Sequence, residues 1–432
     1  MRQFRMRATV VNRSSVPRQD TTPGVGTDIS HPAPVQSAPT ARPAPPVTSQ
    51  RLEAFDTARG TAMLLVCLSH FTSVYFRAEY QSGGRVLPAQ IGMLASPTFM
   101  AVSGMMVGLM SVVYSRGFNK LRIKLIDRAL FLLTVGHVLV VMARFFEPPE
   151  LTALRTTVIT DAVGVSVLIG VWLVRLTRPR TRILLGVGLF AAAWLLVYGW
   201  QPIGTWSSVA KEVLVGALPN RVMWYTVPLL QWLGVYLVCS ALGQHLGWLY
   251  LRDDRRGVER TFAMIAVASV VVAVTLRVIS WGFRPPIPPG GSWLYEPIFS
   301  PWSKEVPSPV YVLFMGGLGM ALVWLVVCIS HRRLGARLLI GVTRIGRSSL
   351  AVFILQQYIY YALLDTLSLP RSRAWPLFFL ISLIPIFAFA GVWDKRQLNT
   401  TLTVGLRSYF QKRADRSKAA QPASALETAA RS

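Results

Sequence analysis

Two residues of the chain combine types and spacing that could do chemistry. Arg59 and His70 stand eleven positions apart in the segment RLEAFDTARGTAMLLVCLSHF at 51–71. At about 100° of rotation per residue, eleven steps fall within about 20° of three full helical turns, so both side chains leave one face of a helix. The helical rise sets them about 16 Å apart along the axis. A cation at one depth and an imidazole further along could hold an anionic cofactor and accept a proton from an acceptor group. Each also has a plainer reading, Arg59 as a charge anchoring a helix end and His70 as a packed polar contact. Asp56, three residues before Arg59, is close enough in sequence to pair with it.

The elements that must carry these residues follow from composition. The 432 residues are 52% hydrophobic and 15% charged, with 13 tryptophans, and the mean hydropathy is +0.44. Apolar runs long enough to cross about 30 Å of hydrocarbon recur along the chain. The expectation is an all-α, polytopic integral membrane protein. A net charge of +26 might suggest nucleic acid, but the basic residues lie beside hydrophobic spans, as topology signals do.

Ten spans are expected, at 57–76, 91–115, 125–145, 158–176, 182–200, 222–245, 261–282, 309–330, 346–366 and 374–394. Residues 1–50 and 397–432 read as cytoplasmic tails, the first disordered and the second mostly so, around a transmembrane domain at 51–396. The span count can be tested internally, because connections rich and poor in Lys and Arg should alternate. Arg116, Lys120, Arg122, Lys124 and Arg128 follow the second span, and Arg175, Arg178, Arg180 and Arg182 border the connection after the fourth. Arg252, Arg255, Arg256 and Arg260 follow the sixth, and Arg332, Arg333, Arg337, Arg344 and Arg347 the eighth. The intervening connections are poor in both residues, so both termini are expected in the cytoplasm, most simply at a bacterial cytoplasmic membrane. Cys67, Cys239 and Cys328 fall within spans, with no disulfide framework and no metal-type spacing.

Several segments resemble the transmembrane acyltransferase superfamily. The segment at 51–71 is similar to the opening helix of the acyltransferase-3 branch, where ten residues separate an arginine from a histidine. SPTFMAVSGMMVG in the second span is similar to the phenylalanine-containing stretch of the same family. VPLLQWLGVYLVCSALG at 227–243 and KEVPSPVYVLFMGGLGMALV at 304–323 resemble the heparan-alpha-glucosaminide N-acetyltransferase-like branch. GRSSLAVFILQQ at 346–357 resembles a Gly-Arg-x-x-Leu pattern seen across the superfamily, glucan-succinylating proteins included. Gln356 and Gln357 stand where some relatives have a histidine, and Gln231 stands where that branch usually has proline.

The resemblance implies transfer of an acyl group, most simply acetyl, from cytoplasmic acyl-CoA to a hydroxyl or amine of a glycan or lipid-linked acceptor, with no metal and no nucleic acid. His70 would act as general base, and Arg59, with Arg122, Arg128 and Arg347, would hold the CoA. Asp161 in the fourth span could orient His70 or bind an acceptor hydroxyl, or cap its helix. Arg277 could meet an anion or reach the headgroups, while His137 reads as a packed histidine. In the proline-rich connection at 283–308, Trp293, Tyr295 and Trp302 could rest at the interface or cover a sugar. The rival class is a transporter or flippase whose polar residues line a path; neither an internal repeat nor paired broken helices support it.

Overall fold

The computed structural model describes residues 53–77, 87–144, 155–216, 222–223, 225–282, 298–302, 304–367, 373–406 and 408. The expected N-terminal tail, the end of the C-terminal tail, Trp293 and Tyr295 lie outside them. Among the described residues the fold is helical, and its only β contact is an isolated bridge between Thr156 and Tyr225.

In chain order the helices are α1 (Glu53–Tyr75), α2 (Leu87–Gly92), α3 (Ala95–Val113), α4 (Phe118–Phe131), α5 (His137–Arg144), α6 (Ile159–Leu176), α7 (Pro179–Gly199) and α8 (Gly204–Val215). They continue as α9 (Leu229–Leu251), α10 (Arg255–Gly282), α11 (Pro309–Ser330), α12 (Arg333–Leu338), α13 (Ile340–Arg347), α14 (Ser349–Gln357) and α15 (Trp375–Lys395). A π-helical turn, Leu132–Gly136, joins α4 to α5, and a second, Tyr358–Leu364, extends α14.

Each expected span overlaps one of these helices, but seven of the helical stretches, not ten, are long and apolar enough to cross a membrane. These run over Leu87–Val113, Ser115–Arg144, Ile159–Leu176, Pro179–Gly199, Arg255–Trp281, Pro309–Ser330 and Trp375–Lys395. The remaining three have physical reasons for falling short. Arg59 and His70 interrupt the apolar run of α1, and Gln231, Gln244 and His245 that of α9. The ninth apolar stretch, Ser349–Leu364, is too short by itself, because Ser348 (φ −100°, ψ 16°) separates it from α13. Exposed Leu184, Leu195, Val267, Val271 and Leu380 give the outside of the bundle an apolar surface suited to hydrocarbon, as in an integral membrane protein.

α1 lies at the centre, with most of its residues from Phe55 to Tyr75 buried. It packs unusually close to α13. A Cβ on Gly60 would collide with the Val342 carbonyl, and one on Gly346 with the Asp56 carbonyl. The two glycines therefore let the backbones approach in a reciprocal pair, as small residues do between membrane helices. Thr57 and Thr343 hydrogen-bond across the same seam at 2.9 Å. This seam delivers Ser349, three residues past Gly346, to the Arg59 guanidinium.

α8 is an element the hydropathy pattern does not reveal, since it lies in the connection after the fifth span. Its fully buried Glu212 accepts hydrogen bonds from Val222 N (2.7 Å) and Met223 N (3.0 Å). Thr157 N donates to Tyr225 O and Val227 N donates to Thr157 Oγ1, both at 2.9 Å. Together these bonds set the extended segment before α9 against the start of α6. The chain after α15 is also engaged, for Asp127 Oδ1 accepts from Val404 N (2.9 Å) and Leu406 N (3.2 Å).

Substituting Gly346→Ala should lower stability by about 1–3 kcal/mol, because backbone meets the new methyl. Gly391→Ala, in the interior of α15 with nothing within 4 Å of an added Cβ, should be neutral or slightly stabilising. Thermal unfolding in detergent compares the two; equal melting temperatures would remove the close-approach argument.

Candidate functional site

His70 is buried, and each ring nitrogen has its own environment. Nδ1 lies 2.8 Å from Gln356 Oε1 and 3.3 Å from Gln357 Nε2. The shorter contact assigns the ring proton, so Nδ1–H donates to Gln356 Oε1 and Nε2 is left with its lone pair. Gln356 is fixed in turn, donating from Nε2 to Phe353 O at 3.0 Å. Two consecutive residues reach one imidazole because the ring sits between their directions, at the point where α14 widens into its π turn. Within that turn the Tyr361 ring lies 5.5 Å from the imidazole.

On the Nε2 side stands Arg144, the last residue of α5. Its Nη2 is 3.5 Å from His70 Nε2 and its Nε donates to Gln357 Oε1 at 3.2 Å. The guanidinium lies 4.8 Å from the centre of the Tyr361 ring and 5.4 Å from that of Tyr225, a cation–π clamp. His70, Arg144 and Tyr225 line a cavity of about 230 Å³ that also takes in Ser69, Trp232, Lys304 and Glu305. Burial pulls the Lys304 ammonium below the ordinary lysine range; Arg144 repels it further, while Tyr361 and Glu305 act against the shift.

A second cavity, of about 140 Å³, lies at the other end of the pair. Arg59 and Arg128 both line it. Arg59 Nη2 donates to Ser349 Oγ at 2.5 Å and Arg128 Nη2 donates to Asn399 O. The two guanidiniums repel each other, and Arg128 Nε is buried without a hydrogen-bond partner. Phe99 belongs to the walls of both cavities. Phe353, in the second cavity's wall, has its ring 6.3 Å from Phe99 and 6.1 Å from His70. The aromatic pair is therefore the partition between a polar chamber at His70 and a cationic one at Arg59.

Other expected residues are placed differently. Asp161 does not orient His70. Its Oδ2 accepts from Val158 N at 2.8 Å, closing the first turn of α6, and its oxygens lie 2.9 and 3.0 Å from His137 Nδ1. The helix-cap alternative describes it, and His137 is its partner. Arg122 stacks 4.2 Å over Trp172 and does not line the Arg59 cavity. Arg347 also lies outside it, held by Asp56 (3.3 Å), Asp394 (3.3 Å) and Glu53 (3.5 Å). Asp56 thus bonds Arg347, and acts on Arg59 through space. Arg277 donates to Phe299 O at 3.1 Å. Arg182 turns inward to Ser240 and Gln244 on α9.

Arg144, Lys304, Tyr225 and Tyr361 are site residues that hydropathy and motif spacing do not single out. One signal was present for the first two, since they are basic residues beside connections otherwise poor in them. A larger cavity of about 470 Å³, between α7, α9, α10 and α11, is lined almost wholly by apolar side chains and offers little for catalysis.

Gln356→Leu should release the Nδ1 proton from its acceptor. Nitrogen-15 NMR of histidine-labelled protein should show His70 moving from a single Nδ1–H form to a mixture, with stability lower by about 1–3 kcal/mol. An unchanged tautomer would show that Gln356 does not set it. Compared with known proteins, the chain matches no protein-family model and no curated sequence.

Proposed function

We propose that the protein is a membrane-embedded acyltransferase, which moves an acyl group, most simply acetyl, from cytoplasmic acyl-CoA to a hydroxyl or amine of a glycan or glycolipid. One observation carries the reading: a single buried helix presents Arg59 to a cationic chamber and His70 to a polar one, with only the Phe99–Phe353 partition between them. All five sequence blocks that resemble the superfamily contribute side chains to these chambers, among them Arg59, His70, Phe99, Trp232, Lys304 and Phe353.

In this mechanism Arg59 and Arg128 bind CoA phosphates through charge-assisted hydrogen bonds. Arg122 and Arg347, engaged elsewhere, are left out. The acyl thioester passes the aromatic partition to reach His70. Nε2 takes the proton of the acceptor hydroxyl or amine as its oxygen or nitrogen attacks the thioester carbonyl. The new bond to the acyl carbon forms, the carbon–sulfur bond breaks, and the imidazolium returns the proton to the CoA thiolate. Gln356 keeps the ring oriented throughout. Burial of His70 limits access of water, whose attack on the thioester is the competing reaction.

The orientation belongs to the same proposal. α1, α4–α5 and α14 run from the Arg59 chamber toward the His70 chamber, and α3 and α6 run back. Exposed Arg116, Arg175, Arg178 and Arg180 border the Arg59 ends of their helices. Placing that end in the cytoplasm of a bacterial cell satisfies the charge rule and faces the donor. Ten spans with both termini inside is the count this orientation uses.

Two chambers meeting at an aromatic partition also suit a transporter, so the test must see chemistry. Purified protein should bind acetyl-CoA and slowly release CoA. Arg59→Ala should weaken binding, while His70→Ala should lower CoA release by about 10²–10⁴-fold with binding intact. A parent protein that binds no acyl-CoA and frees no thiol would sink the acyltransferase reading and favour transport.

A further inference from the structure

The His70 chamber carries more positive charge than it neutralises. Arg144 and Lys304 both line it, and Glu305 is the one carboxylate in its wall. Arg144 has no carboxylate partner among the described residues. Its contacts are the Gln357 amide, the His70 ring, the Tyr225 side chain, which also hydrogen-bonds it, and the face of Tyr361. Arg347 is held differently, with three carboxylates converging on it, whereas buried Arg182 meets only neutral groups of α9 and lines neither chamber.

A guanidinium turned inward at the end of α5 against neutral groups loses solvation without gaining a counter-ion. Amide and ring contacts recover part of that cost without supplying a counter-ion. Nor is Arg144 an anchor at a helix end reaching for headgroups, since its guanidinium points inward, between two tyrosine rings and beside His70.

We propose that the His70 chamber binds an anionic acceptor, with Arg144 and Lys304 pairing to a carboxylate or phosphate on the molecule that His70 deprotonates. The inference rests on the acyltransferase reading for the word acceptor, but anion binding in the chamber stands independently of it. Geometry narrows the class further. Because Arg144 Nη2 lies 3.5 Å from His70 Nε2, the anion and the reacting hydroxyl or amine must sit within about one sugar ring of each other. Uronic acids and sugar phosphates have that arrangement; a neutral glycan does not. Trp232 and Tyr225, in the same wall, offer faces on which a sugar ring can stack.

The test measures binding without any acyl donor. Full-length protein in detergent is titrated with glucuronate, inorganic phosphate and glucose, and tryptophan fluorescence is read. Glucuronate and phosphate should give saturable changes that glucose does not. Arg144→Gln should weaken glucuronate binding roughly tenfold or more, Lys304→Gln should weaken it less, and Arg144→Lys should restore part of it. Acetyl-CoA binding, measured separately, should stay within twofold of the parent in all three variants, which also shows that they fold. The proposal is overturned if glucose binds as well as glucuronate, if neither anion binds, or if Arg144→Gln leaves anion binding unchanged. It is equally overturned if Arg144→Gln changes only the preference for succinyl-CoA over acetyl-CoA, for then the anion lies on the donated acyl group. Should CoA release fail while anion binding and its Arg144 dependence hold, the acyltransferase reading falls and the anion site remains.

Discussion

The structure is organised around the problem of burying a polar helix. α1 is enclosed by other helices over most of its length, yet it carries a cation and an imidazole where an ordinary membrane span would carry leucine. Each polar group so placed needs a partner, because an unpaired one costs about 1–3 kcal/mol, more if charged. The partners come from one region of sequence nearly three hundred residues away: Ser349 for Arg59, Gln356 and Gln357 for His70. The glycine seam between α1 and α13 sets the register that brings them there, so packing and polar satisfaction depend on the same contact.

The same constraint explains which parts of the molecule were legible in the sequence. The apolar runs are long and every expected span has a helix, because hydrophobic length is a property of local sequence. The three helical stretches that fall short of a full apolar crossing are informative in their own right. α1 and α14 bear the site, and α9 contributes Trp232 to its wall. A polytopic protein that places polar side chains in its interior must break its own hydropathy pattern, and here the breaks coincide with the polar cluster around Arg59 and His70.

Partner identity was less legible, since it depends on side chains meeting across the fold. Asp161 is an acid in an apolar span and looked equally suited to orienting His70 or capping a helix; its position at the third residue of α6 made the local contact the nearer one. Arg347 lies in a motif-like segment that suggests a phosphate ligand, but Glu53 and Asp56 of α1 and Asp394 of α15 converge on it, the first two nearly three hundred residues away in sequence. Conversely, Gln356 and Gln357, two neutral amides that no charge pattern singles out, are the groups that hold His70. An amide oxygen can accept a hydrogen bond from Nδ1–H without competing for the proton, which leaves His70 as the single imidazole of the cluster.

Charge distribution also distinguishes the two chambers. In one, Arg59 and Arg128 repel each other in a space lined mainly by apolar side chains, an arrangement suited to a polyanion carrying an apolar arm. In the other, Arg144 and Lys304 stand beside a proton acceptor, with aromatic faces and a single acid. If both chambers merely served topology, the cations of the second would be expected at the arginine-rich end of the bundle, where exposed Arg116, Arg175 and Arg178 lie. They are at the opposite end and turned inward. That placement opposes the charge bias of the rest of the chain, and it is the observation from which an anionic ligand is proposed.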